Sequence, residues 1–308
     1  MRVTALSPVK FDERIWDHLV LDADTKSLIR SLIDATMKDT SEGTLLKDLV
    51  SGKGGGMIAL LHGKPGTGKT MTAEAVAEHL RRPLYVVGSA EIPYFAGELE
   101  KQLQTIVQRA KRWNSVLLFD EADELVEDRG DRGHFGGLGK NAMVTVALRV
   151  LEYHAGVVFL TTNRVRVFDE AVLSRFSIGI NFPELTADNR FTIWSNFLRR
   201  SNIDIIDTEG DGAECSTQVV SAEGSSEISR SSIHVRDIKK LAEKGFNGRV
   251  VRNIIRTAQA LALGRNEPFG LQHIKAIAGT CQRFLDDVKV TDNIPVKNSD
   301  EQHRVTDF

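Results

Sequence analysis

Three short stretches of this chain carry residue types that could handle phosphate. Residues 63–70, "GKPGTGKT", satisfy the spacing G-x-x-x-x-G-K-[ST] in full. Gly63, Gly66 and Gly68 allow successive backbone N–H groups to turn inward toward phosphate oxygens, and the dipole of a following helix adds to that field. Lys69 would neutralise β- and γ-phosphates, and the Thr70 hydroxyl would ligate Mg²⁺. Lys64, Pro65, Thr67 and Met71 are the remaining candidates for contact with a nucleotide. Downstream, "VLLFDE" sets Asp120 at the end of an apolar run with Glu121 beside it. A carboxylate there can hold Mg²⁺ through its water shell, and the next one can activate an attacking water. A third apolar run ends in "TTN", which puts the Asn163 amide within reach of a γ-phosphate or the lytic water. A glycine turn, an acid pair opening a loop and a strand-ending asparagine are each ordinary alone. Their occurrence together, in this order, argues for a working cradle.

The elements that must position these residues are legible as an alternation. "MIALL" (57–61), "LYVV" (84–87), "VLLF" (116–119) and "VVFL" (157–160) read as buried strands. Between them, Leu99, Leu103, Ile106, Val107 and Ala110 recur at helical spacing, which predicts a helix over 98–112. Ala142, Met143, Val146, Val150 and Leu151 mark another. Strands and helices alternating at this length predict a parallel sheet covered on both faces. The glycine-rich, charged stretch 127–141 reads as a loop, and the polar, serine-rich stretch 207–232 as a disordered insertion. Helix-like runs on either side of that insertion predict a small all-helical domain over 186–288, and the polar tail beyond it reads as frayed. No internal repeat is visible.

Composition narrows the function classes. The 308 residues carry 40 basic and 42 acidic side chains, a formal charge of −2, which argues against a general polyanion-binding surface. Cys215 and Cys281 stand far apart without ligand spacing, which points to a reduced intracellular setting and to no cysteine metal site. No apolar run approaches the roughly 18 residues of a spanning helix. The N-terminus lacks a signal-peptide core and turns acidic early, which reads against a leader. The expected location is intracellular, the cytoplasm first, with nucleus and mitochondrion left open. The first domain begins close to residue 1, which leaves open that the chain is part of something longer.

Together "GKPGTGKT", "VLLFDEAD" and "FLTTNR" resemble the AAA+ ATPases, and more closely the AAA-domain ATPases of fungi, over about residues 11–288. The resemblance implies an α/β P-loop NTPase domain over 23–185, with a parallel five-stranded sheet between helices. A linker (1–22) would precede it; a helical lid (186–288) and a flexible tail (289–308) would follow. It implies ATP and Mg²⁺ as cofactors, and a homo-oligomeric ring, a hexamer being one candidate, with ATP at subunit boundaries. By this resemblance Lys69, Thr70, Asp120 and Glu121 form the two Walker motifs, and Asn163 is the first sensor. "DEAVLSRF" matches the arginine-finger position and makes Arg175 the candidate. Many members carry two arginines there, spaced by Pro-Gly; this chain has one. "FNGRVVRN" falls at the second sensor, with Arg249 the choice and Arg252 the rival. "YFAGELEKQL" resembles a pore loop with Phe95 as its aromatic residue, and "DHLVL" a linker whose His18 to Val20 lie by the adenine.

The leading expectation is an ATP hydrolase that drives ring-based remodelling of a macromolecular, most naturally protein, substrate. Two alternatives stand beside it. One is an ATP-dependent assembly switch or scaffold with slow turnover. The other is a DNA-directed loader, for which only Arg129, Arg132 and Lys140 offer contacts.

Overall fold

The structure, a computed structural model, describes residues 9–42, 55–88, 91–93, 96–125, 138–168, 170–207 and 232–292. It divides into two compact units between Ile193 and Trp194. The first is built on five parallel strands, β1 (Met57–Gly63), β2 (Leu84–Val87), β3 (Val116–Phe119), β4 (Val157–Thr162) and β5 (Ile178–Phe182). Their order across the sheet is β2-β3-β4-β1-β5.

Strand side chains alternate between the two faces, and here both faces are buried. Ile58 and Leu60, Leu117 and Phe119, Val158 and Leu160 point into one core. Met57, Ala59 and Leu61, Val116 and Leu118, Val157 and Phe159 point into the other. The first core is covered by α4 (Ala96–Trp113), α5 (Leu138–Leu151) and α6 (Glu170–Leu173). The expected Leu99, Leu103, Ile106 and Ala110 stripe is what α4 buries there. The second core is covered by α1 (Ile15–His18), α2 (Ala23–Glu42) and α3 (Lys69–His79). Trp16 of α1 lies against the His79 ring at the end of α3, with centroids 5.8 Å apart.

In the α/β unit α5 begins at Leu138, inside the stretch expected to be loop. Gly139 falls in its first turn, where a helix tolerates glycine for about 1 kcal/mol. The remainder of that loop, with Arg129 and Arg132, lies outside the described residues, as does the pore-loop candidate Phe95.

The division between units falls inside α7 (Ala187–Arg200). The second unit continues with β6 (Asp204–Ile206), β7 (Ser232–His234), α8 (Val235–Glu243), α9 (Gly248–Gly264) and α10 (Leu271–Asp292). Its core is helical, with Ile238, Leu241, Val251, Ile254, Ala258, Ile274 and Ala278 buried. The expectation of an all-helical unit needs one correction. β6 and β7 pair in parallel, Asp204 with Ser232 through Ile206 with His234. Ser232, expected within the insertion, therefore belongs to a strand. A parallel pair needs a long crossover, which is where residues 208–231 lie in the chain; they are outside the described residues. Among the described residues no helix is long and apolar enough to cross a membrane.

Candidate nucleotide site

Strand order and parity bring the singled-out residues of the first unit together. The β3-β4-β1 neighbourhood places the carboxyl ends of three strands side by side, and ligands of open α/β sheets bind beyond such ends. Phe119 pairs with Leu160, and Leu61 pairs with Thr161. One step further along β3, Asp120 falls beside Thr161. Asp120 continues the Val116 and Leu118 parity and Thr161 the Val157 and Phe159 parity, so both face the layer that contains α3.

The loop from β1 to α3 holds three left-handed glycines, Gly63 (φ 149°), Gly66 (φ 74°) and Gly68 (φ 110°). At Gly63 the space is as demanding as the dihedral, because a Cβ there would lie 2.2 Å from the Phe182 carbonyl oxygen. Gly68 is the N-cap of α3, and the first turn of that helix holds no acidic side chain to compete with an anion for its dipole. Lys64 and Pro65 are exposed; Thr67 is buried, its hydroxyl donating to the Lys64 carbonyl at 2.8 Å. Met71 is half-buried in the same first turn. The Lys64 ammonium pairs with Glu184.

Lys69, only 7% exposed, spends its ammonium on three oxygens: the Gly63 carbonyl at 2.7 Å, the Lys64 carbonyl at 2.8 Å and Asn163 Oδ1 at 2.8 Å. The lysine of the cradle and the polar end of β4 are thus in direct contact. The Thr70 hydroxyl donates to Asp120 Oδ1 at 3.0 Å. The Thr161 hydroxyl donates to the same oxygen at 2.5 Å and accepts from the Glu121 N–H at 2.9 Å. Glu121 itself is exposed and has φ 57°. Arg81, Asn114, Asn202 and Asn266 share that left-handed region, but each follows a helix, where such a residue is a common terminator. Among the described residues other than glycine, Glu121 alone adopts it after a strand. For a side chain other than glycine this costs of order 1–3 kcal/mol and persists only where neighbours hold it.

The donor set fits Mg²⁺. Among the described residues no three His, Cys, Asp or Glu side chains gather into a cage of their own. One carboxylate and one hydroxyl 3.0 Å apart are oxygen donors suited to a hard cation that takes its other ligands from phosphate and water. A hydroxyl can donate to Asp120 and still offer a lone pair to a metal. His62, the last strand residue before the glycines, has its pKa lowered by burial and then by the Lys69 charge, so it stays neutral beside the cradle.

The other candidates lie on other elements. Ser177 N–H donates to the Ile58 carbonyl at 2.8 Å, so Arg175 sits at the N-terminal end of the sheet. At about 3.3 Å per residue, the strand from Ile58 to Gly63 separates it from its own cradle by roughly 17 Å. Its guanidinium lies 3.8 Å from the Glu152 carboxylate. Arg249 and Arg252, both exposed, belong to the second unit, at the start of α9, where Asn247 Oδ1 accepts from the Val250 N–H at 3.0 Å. His18 ends α1, Leu19 is buried and Val20 half-buried. Thr161 is the residue that sequence reasoning missed. Its signal was a polar β-branched residue at the end of a strand whose register abuts Asp120.

The comparisons with known proteins bear on the family and the fold. The model of the ATPase family associated with various cellular activities, AAA, matches residues 59–184. A putative 26S proteasome regulatory subunit homolog of Methanothermobacter marburgensis is 31% identical over 150 residues, 47% of this chain and 40% of that protein. The mitochondrial inner membrane m-AAA protease component YTA10 of Saccharomyces cerevisiae is 26% identical over 227 residues, 68% of this chain and 26% of that one. The peroxisomal ATPase PEX6 of Kluyveromyces lactis is 32% identical over 162 residues, 48% and 16% of the two chains. The chain thus spans 40% or less of the length of these curated relatives. The crystal structure of the FIGL-1 AAA domain superposes with a TM-score of 0.57 at 18% identity, covering 92% of this chain and 90% of that one, a likeness of fold. The five-stranded parallel sheet, the cradle between β1 and α3, and the family match converge on residues 59–184, the stretch that matches the AAA ATPase family.

Proposed function

We propose that this chain binds Mg²⁺-ATP at the 63–70 cradle and hydrolyses the β–γ bond within an assembly of its own copies, to remodel a protein substrate. Inward backbone N–H groups and the α3 N-terminus bind the phosphates. Lys69 exchanges part of its carbonyl and amide contacts for phosphate oxygens, which needs no new side-chain position because its ammonium already lies in the loop. Thr70 and Asp120 hold Mg²⁺, which when bound neutralises charge on the phosphates. Glu121 takes the proton of the attacking water, and Asn163 orients that water or the γ-phosphate. Arg175 acts on a neighbouring copy.

One observation carries the reading. The chain of hydrogen bonds from Thr70 through Asp120 and Thr161 to Glu121, with Lys69 on Asn163, joins the ends of β1, β3 and β4. Support for a protein substrate comes from relatives named as proteasome regulatory subunits and an AAA protease component. Support for assembly comes from the distance of Arg175 from its own cradle. Steady-state ATPase activity measured across protein concentration tests it. Turnover per subunit that rises with concentration is the expected result, and flat turnover contradicts it. The second reading, a slow assembly switch, is favoured by the Arg175–Glu152 contact, which occupies the candidate finger within its own chain. Nucleotide-dependent assembly with negligible turnover at every concentration would select it.

A further inference from the structure

We propose that Thr161 is the positioning residue of the acid pair, and that its hydroxyl, rather than its bulk, sets both the backbone of Glu121 and the aim of Asp120. The proposal rests on the ATPase reading above.

Thr161 is 1% exposed, and a buried hydroxyl must find partners. A threonine usually finds them nearby in sequence, and its neighbour does so: Thr162, equally buried, accepts from the N–H of Arg164 two residues on, at 2.9 Å. The Thr161 hydroxyl reaches across the sheet instead, to residues forty and forty-one positions away. As acceptor it takes the N–H of Glu121, the residue whose left-handed backbone turns its side chain out of the line of β3. As donor it fixes Asp120 Oδ1, the oxygen that also accepts from Thr70. With both threonine hydroxyls converging on Oδ1, neither uses the second carboxylate oxygen. One side chain therefore couples the candidate metal-binding acid to the candidate base, so that they move as a unit.

The test separates hydroxyl from volume. Thr161→Val keeps the shape and removes the oxygen; Thr161→Ala removes both; Thr161→Ser keeps the oxygen. Losing a hydrogen bond to a charged group predicts a fall of about 10- to 100-fold in kcat for Val and Ala, with KM moving less. Ser should stay within a few-fold of the parent. Binding of a fluorescent, non-hydrolysable ATP analogue gives a second readout. Val and Ala should require more Mg²⁺ for tight binding, while their affinity in excess chelator matches the parent. Melting curves accompany every variant, and where Val does not fold the Ser–Ala pair, one oxygen apart, decides the same question. An order that follows volume, with Val like the parent and Ser like Ala, would overturn the proposal. Glu121→Gln serves as the control on the underlying reading. If that variant keeps normal turnover, the assignment of Glu121 as base fails; if it is dead while Thr161→Val is fully active, only the role of Thr161 fails.

Discussion

At the carboxyl ends of β1, β3 and β4, polar atoms satisfy one another between strands: Lys69 on Asn163, Thr70 and Thr161 on Asp120. At the amino ends of β1 and β4 the packing is so close that a side chain on Gly56 or Gly156 would scarcely fit. A Cβ on Gly56 would come within 2.0 Å of the His154 carbonyl oxygen, and one on Gly156 within 2.4 Å of His154 Nε2. His154 is itself buried, and its Nε2 has no hydrogen-bond partner among the described residues. Shared strands thus carry two kinds of dependence. Substitution at the carboxyl ends should remove chemistry and spare the fold; substitution at the amino ends should damage the fold. Arg175 is the exception that joins the two ends, because it sits at the base of the sheet yet is assigned to chemistry.

The largest expected effect tests that exception. Arg175→Ala should leave ATP affinity nearly unchanged and lower turnover by roughly 10³–10⁵-fold, the range of fingers supplied in trans. If only melting temperature moves, Arg175 belongs to the base of the sheet and the comparison loses its exception. Next comes Glu121→Gln, expected to bind ATP and lose ~10²–10⁴-fold in rate, with an unchanged melting curve. Near-normal turnover would move the base to another residue.

Gly56→Ala should show the opposite signature. The added methyl meets backbone oxygens that cannot swing aside, and overpacking of this kind costs about 1–3 kcal/mol. Denaturant titration should show that loss, with kcat per folded molecule retained. The smallest effect is the pH response of His154. Burial lowers its pKa in the fold, and the Lys111 charge adds to that. The unfolded chain, with an ordinary pKa of about 6.5, then binds the proton more readily. Stability is therefore full above that value and falls as pH drops below it toward the folded pKa. His154→Gln should flatten the fall of melting temperature as pH drops below about 6.5.

How much was legible follows from how each feature is encoded. β1, β3 and β4 are continuous apolar runs because both faces are buried, and α4 shows its face at helical spacing. β5 was not read directly, because at the sheet edge Ile178, Ile180 and Phe182 alternate with the exposed Gly179 and Asn181 and form no continuous apolar run. β6 and β7 are three-residue strands that meet across a long stretch of sequence, beyond the reach of local periodicity. Lys69, Thr70, Asp120 and Asn163, which the fold brings into contact, were readable as a set because their types and spacing match what binding a nucleotide would require. Thr161 was not, since a threonine in a strand reads as an ordinary β-branched residue until register sets it beside Asp120. The left-handed turn of Glu121 leaves no mark on residue type at all.

The account's central claim is that one working site takes its cradle and base from one copy and its arginine from another. Mixing Arg175→Ala with Glu121→Gln measures this directly, after sizing has established that the two variants co-assemble. Each alone should be inactive. Where a subunit that retains Glu121 meets a neighbour that retains Arg175, a complete site is rebuilt, so the mixture should recover measurable ATP hydrolysis. A confirmed mixed assembly as inactive as its components would contradict the claim.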